Sequence, residues 1–133
     1  MSGPFHSLSI AGSGMDVYQT WLDAIADNVA NISNVSASGE PAFQERFVIA
    51  RAKNGSRPEG AVVDRIELGD DTGEVSYQPD HPLSDEDGFV RVPTVNLSQQ
   101  MTHMLVAQRA YQANVSAFRT AREAYQRALE IGR

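Results

Sequence analysis

The sequence has no cysteine among its 133 residues, which removes disulfides, thiolate nucleophiles and Cys-based metal sites at once. That absence assigns no compartment, because chains on either side of a membrane can lack the residue. Lysine is nearly missing as well: Lys53 stands alone among 11 basic residues, and no run of Lys or Arg offsets the 17 acids. The net charge of −6 argues against nucleic acid and against an anionic membrane surface as partners. No stretch approaches the roughly 18 consecutive apolar residues of a membrane-spanning helix. The amino-terminal MSGPFHSLSIAGSG has neither a basic start nor a continuous apolar run, so it does not match a cleaved secretory signal. The expectation is a chain that enters no membrane and, if it leaves the cytoplasm, does so by a route these patterns do not detect.

Catalytic patterns are equally scarce. His6, His81 and His103 lie in unrelated segments without the HxxxH or HExxH spacing of a zinc site. Asp85-Glu86-Asp87-Gly88 has the look of the middle of a calcium loop, but Leu83 takes the first ligand position and Thr94 the twelfth, where a bidentate Glu is needed. The AGSG at residues 11–14 lacks the Lys and the preceding strand of a phosphate cradle. No Ser sits in a nucleophile motif, and the many acids of the middle read as a solvated surface. The expectation is no enzyme, no cofactor and no metal.

What the sequence does have is two long helical patterns. From Leu97 to Leu129, the positions Leu97, Met101, Met104, Gln108, Tyr111, Val115, Phe118, Arg122, Tyr125 and Leu129 alternate steps of four and three, a heptad seam. A second stripe runs beside it: Ala107, Ala110, Asn114, Ala117, Ala121, Ala124, Ala128 and Ile131. One partner helix cannot cover both. Near the amino terminus, Leu8, Ala11, Met15, Tyr18, Leu22, Ile25, Val29 and Ile32 form another seam, flanked by Ile10, Gly14, Val17, Trp21, Ala24, Asn28 and Asn31. Gly12 and Gly14 predict a helix that is firm only from Met15, and ISNVSASGEP predicts its end between Asn31 and Asn34. The helices divide their charge, with Asp16, Asp23 and Asp27 and no base on the first, and Arg109, Arg119, Arg122, Arg127 and Arg133 against Glu123 and Glu130 on the last, a complementarity that modestly favours pairing of the two.

Between them the period changes to two. Phe43, Phe47 and Ile49 alternate in AFQERFVIAR, and Val62, Ile66 and Leu68 in GAVVDRIEL; EVSYQP and FVRV are two further candidate strands. Asp87-Gly88 before FVRV signals either a hairpin or a loop. Three asparagines on the helix stripes carry more information than any histidine. Asn31 reads equally as a helix C-cap. Asn28 and Asn114 suit amide bonds between helices that fix register, as buried polar residues do in coiled coils, and Gln108 and Arg122 invite the same argument.

Pro79, His81-Pro82-Leu83, Asp87-Gly88, Pro93, Arg109, Tyr111-Gln112-Ala113-Asn114 and Leu129-Glu130-Ile131-Gly132 bring a family into view. The segment from Tyr77 to Arg133 resembles the carboxyl-terminal half of bacterial flagellar proximal-rod proteins, of the rod and hook axial family. Ile25-Ala26-Asp27-Asn28-Val29-Ala30-Asn31 is similar to that family's amino-terminal helix motif. The pattern departs at Val35-Ser36, at Thr94 and at Gln100, where Glu is usual before Met. The resemblance implies an α+β chain in three parts: a terminal helix over 1–36, a small β-rich, outward-facing domain over 37–96 and a helix over 97–133, the helices pairing as an antiparallel coiled coil. It implies a structural subunit of the proximal rod, exported uncleaved through the flagellar type III apparatus to the extracytoplasmic side. Its partners would be further copies of itself and the axial proteins FlgB, FlgF, FlgG and FliE.

The expected assembly interface comprises Leu22, Ile25, Asn28, Val29 and Asn31 of the first helix with Met101, Met104, Gln108, Tyr111, Asn114, Val115, Phe118, Arg122, Tyr125 and Leu129 of the last. A secreted coiled-coil interaction protein or another axial family member is the alternative. A wall hydrolase travelling with the rod would need a catalytic cluster that the sequence does not supply.

Overall fold

The computed structural model describes residues 3–132. Two helices and five strands follow one another as α1 (Pro4–Ala30), β1 (Ser36–Ala37), β2 (Arg46–Ala52), β3 (Ala61–Leu68), β4 (Glu74–Tyr77), β5 (Phe89–Val92) and α2 (Leu97–Ile131). The architecture is α+β. Helix α1 starts at a proline, which at the first helical position gives up only an N–H that has no partner in the helix. Gly12 and Gly14 do not delay it, because the helix is continuous from Pro4 rather than from Met15. It stops at Ala30, where Asn31 turns its side chain back and donates from Nδ2 to the Asp27 carbonyl at 2.8 Å, the C-cap behaviour that an amide can supply. Helix α2 opens on Asn96, whose Oδ1 accepts the Gln99 N–H at 3.0 Å, an N-cap of the ordinary kind.

The chain clusters into two compact units. One comprises residues 23–47 and 66–104. Its sheet has the order β1–β5–β4, antiparallel throughout, with Ala37 beside Val90 and Tyr77 beside Phe89. The connection from β4 to β5 is a loop over residues 78–88, closed by Gly88 at φ 81°. Val90 is fully buried, and Ala42 and Pro93 of the same unit are buried as well. Gly73, at φ 58°, lies so close to Ala42 and the Val92 carbonyl that a Cβ would collide with both, which leaves glycine as the residue that fits there. The Arg91 guanidinium staples the sheet to its surroundings by donating to the Ser38 and Thr72 carbonyls. Ala24, Ile25 and Asn28 of α1 and Gln100 of α2 complete the core of this unit.

The other unit comprises residues 1–22, 48–65 and 105–133. Here Ala11 of α1 and Ala107 of α2 are buried. Buried Ser13 donates to its own helix at the Ile10 carbonyl (2.7 Å) and accepts the Ala61 N–H (3.1 Å), so a serine inside α1 holds the start of β3. Strands β2 and β3 form a two-stranded sheet. Bonds from Lys53 N to the Gly60 carbonyl and from Gly69 N to the Glu45 carbonyl bracket it, which makes the pair antiparallel.

Candidate assembly surface

The residues of α2 that face inward include a continuous heptad, with His103, Ala110 and Val115 half-buried beside it, although not the heptad that the large apolar side chains suggest. Gln100, Met104, Ala107, Tyr111, Asn114, Phe118 and Ala121 are buried or half-buried, at steps of four, three, four, three, four and three. This face takes Met104, Tyr111 and Phe118 from the expected seam and Ala107, Asn114 and Ala121 from the alanine stripe beside it. Of the seam, Val115 is half-buried, while Leu97, Met101, Gln108, Arg122, Tyr125 and Leu129 are exposed. Ile25 and Asn28 are buried, and Leu22, Val29 and Asn31 are half-buried.

Two asparagines on the stripes behave differently. Asn28 Oδ1 accepts the Arg46 N–H at 2.8 Å, while its Nδ2 donates to the Arg46 carbonyl at 3.1 Å and to Gln100 Oε1 at 3.1 Å. Its amide therefore pairs with the backbone at the start of β2 as a neighbouring strand would, and also bonds α2. Gln100 passes the chain of bonds on by donating from Nε2 to the Glu45 carboxylate at 2.6 Å. A glutamate at position 100 would have no proton to give at that point. Asp27 completes the group through an ion pair with Arg46. Asn114 instead donates to the Ala110 carbonyl of its own helix at 2.9 Å, and it stands where Gly14 allows close approach: a Cβ on Gly14 would lie 2.5 Å from Asn114 Oδ1. Farther along the same two helices the rings of Phe5 and Tyr125 lie 6.4 Å apart.

The charges sort themselves otherwise than by pairing of the helices. Asp64 lies between Arg51 and Arg65, both at 2.8 Å, and these hydrogen-bonded guanidinium groups hold its carboxyl below the ordinary range. Arg109, Arg119, Arg122 and Arg127 of α2 are exposed, with no ion pair among the described residues. The calcium-like sequence around Asp85 is a turn: Asp85 Oδ1 accepts the N–H groups of Phe89 (2.8 Å) and Asp87 (3.1 Å). Those donors, the Phe89 amide foremost, lower its pKa. His81 Nδ1 accepts the Leu83 N–H at 3.1 Å. Among the described residues no group of three or more His, Asp or Glu is placed to hold a metal ion, and no helix is long and apolar enough to cross a membrane.

What remains open is helical surface. Every residue of α2 from Arg122 onward is exposed, Ile131 at 87%. Earlier on α2 a shallow groove is lined by Ser7 and by Ala113, Ala117, Ala121 and Ala124. Such a groove and bare end suit contact with another helix, where small residues let backbones come close.

Residues 86–131 match the family model for the carboxyl-terminal part of the flagellar basal-body rod proteins FlgE, FlgF and FlgG. Over 127 residues the chain is 31% identical to the flagellar basal-body rod protein FlgC of Aquifex aeolicus, with 95% of each chain covered. The chain belongs to the FlgC family. The FlgC of Yersinia enterocolitica is 33% identical over 126 residues, covering 92% of this chain and 93% of the relative. That of Bacillus subtilis is 26% identical over 147 residues, covering 97% and 98%. The FlgC family is one of structural rod proteins, and the open helical surface is the feature of this member that fits it. Sequence reasoning missed Gln100, Ser13 and Gly14 as positions that matter. For Gln100 no periodic signal was available, since its partners Asn28 and Glu45 lie 72 and 55 residues away in sequence.

Proposed function

We propose that this chain, a structural subunit of the flagellar basal-body rod, polymerises through its terminal helices into the helical drive shaft that carries motor torque to the hook. The observation that carries the reading is the carboxyl-terminal length of α2, whose residues from Arg122 to Ile131 are all exposed, Leu129 and Ile131 among them, with the Phe5 ring against Tyr125. A helix this apolar at its end is completed by neighbours, and a head-to-tail contact that does not close builds a filament. Phe5 near Tyr125 and Gly14 near Asn114 support α1 and α2 running antiparallel in the manner of a coiled coil. The expected interface residues from Leu22 to Leu129 then divide into those spent inside the subunit, such as Ile25 and Asn28, and those left for other subunits, such as Met101, Gln108, Arg122 and Leu129. Residues 37–96 face outward in this reading. The neighbours along the shaft are FlgB, FlgF, FlgG and FliE, reached by type III export without a cleaved signal and met on the periplasmic side.

Deleting residues 124–133 tests this. The expected result is a chain that keeps the β1–β5–β4 sheet, seen in its amide NMR spectrum, but is absent from purified basal bodies and leaves cells non-motile. Swimming at the parental rate by such a strain would overturn the proposal.

A further inference from the structure

The pairing of Tyr77 with Phe89 and of Val75 with Arg91 puts these four side chains on one face of the β1–β5–β4 sheet, opposite the face that buries Val90. Two of them, Val75 and Tyr77, are 65% exposed, and Tyr77 meets Phe89 edge-on with ring centroids 5.3 Å apart. An apolar and aromatic sheet face left open in this way marks a binding surface. Its surroundings are acidic. Asp80, Glu86 and Asp87 lie on the loop joining β4 to β5, all three exposed and without an ion pair among the described residues.

Carboxylates beside aromatic rings form a receptor for guanidinium, which pairs with the former and stacks on the latter. The chain itself carries the matching group. Residues 23–47 and 66–104 hold twelve acids and only Arg46 and Arg91 as bases, a net charge of −10; the remaining sequence holds nine bases and five acids, a net charge of +4. Much of that positive charge is the exposed arginines of α2, of which Arg119 and Arg122, three residues apart, share one side of the helix.

We infer that the Val75–Tyr77–Phe89 sheet face binds the Arg119–Arg122 side of α2 in a second copy of this chain. The contact is heterologous, since an acidic surface meets a basic one, and it therefore sets the polarity of stacking as well as contributing affinity. The inference rests on the rod reading above and names one of its interfaces.

Charge exchange in the full-length chain, produced in the host strain, tests it. Replacing Glu86→Arg with Asp87→Arg, or Arg119→Glu with Arg122→Glu, is expected to lower the amount of the chain in purified basal bodies by about tenfold or more. All four changes in one chain are expected to restore it. Full-length variants with parental circular dichroism exclude misfolding as the cause. As a second measurement, copies carrying Glu86→Cys and Arg119→Cys, in a chain with no other cysteine, are expected to give a two-chain product with a bismaleimide in assembled basal bodies. Parental incorporation of both charge-reversed variants, failure of the fourfold variant to recover, or coupling only to a chain of different mass would each overturn the inference. If the 124–133 deletion still abolishes incorporation in those cases, the rod reading stands while this interface falls.

Discussion

Asn28 does with one side chain what usually takes a strand. By bonding both backbone groups of Arg46 and the Gln100 amide while almost fully buried, it leaves little of its own polarity unsatisfied. Asn28→Leu would strand those partners in a dry environment, and we expect it to destabilise the protein by about 3 kcal/mol, measured by urea unfolding. A loss under about 0.5 kcal/mol, the level of an ordinary surface change, would show that water replaces the amide. At Asp85 the consequence is one of pH. Its folded pKa is depressed by the Phe89 amide, with the Ser38 hydroxyl and the Asp87 amide assisting, so its contribution is present above the ordinary carboxylate range and disappears as pH falls through the folded value. The Asp87 and Phe89 amide resonances should therefore shift, and their protection relative to the free peptide fall, as pH drops below the ordinary carboxylate range, and Asp85→Asn should abolish that step. An identical pH profile in the variant would place the effect elsewhere.

At the scale of elements, α2 shows what periodicity can and cannot reveal. The existence of both helices and of the four longer strands was legible, because steps of three and four or of two are written in large apolar residues. The orientation of α2 about its axis was not. Leu97, Met101 and Leu129 drew the seam toward themselves, whereas four of the seven residues of the inward heptad are Gln100, Ala107, Asn114 and Ala121, whose small or polar side chains face inward for reasons of space and hydrogen bonding that hydropathy does not express. Strand β1, two residues long, has no pattern to read, and the partners of Ser13 and Gln100 lie 48 and 55 or more residues away in sequence. The same small-residue logic fixes Gly14. Alanine there would gain up to about 1 kcal/mol of helix propensity but must push aside Asn114 and its bond to Ala110. We expect Gly14→Ala to be neutral or destabilising in the parent and stabilising by about 1 kcal/mol in an Asn114→Ala background, a coupling that a double-mutant cycle of thermal unfolding measures. Equal effects in both backgrounds would separate the two positions.

For the whole molecule, the outstanding property is an unequal distribution of completion. Residues 23–47 and 66–104 bury one face of a sheet at Val90, a polar network and the helix segments attached to them, while α2 beyond Ala121 has every residue exposed. Helix ends without tertiary packing are marginal in water. In a dilute solution of the chain, amides from Asn28 to Ala30 and from Met104 to Ala107 should therefore be protected from hydrogen exchange, and those of 122–131 should exchange within seconds. Uniform protection along α2 would mean that the isolated subunit already satisfies its terminal helix.

The bare end of α2 also makes the subunit's lifetime in the cell depend on where it is. A free copy presents an exposed helix end, with Arg122, Tyr125 and Arg127 as cleavage positions, to any protease it meets, while a copy whose end is covered by neighbours presents none. Under the assembly proposed above, supply in excess of the rod would be removed and supply within it retained, so the quantity of this protein would follow the number of shafts built rather than the rate of its synthesis.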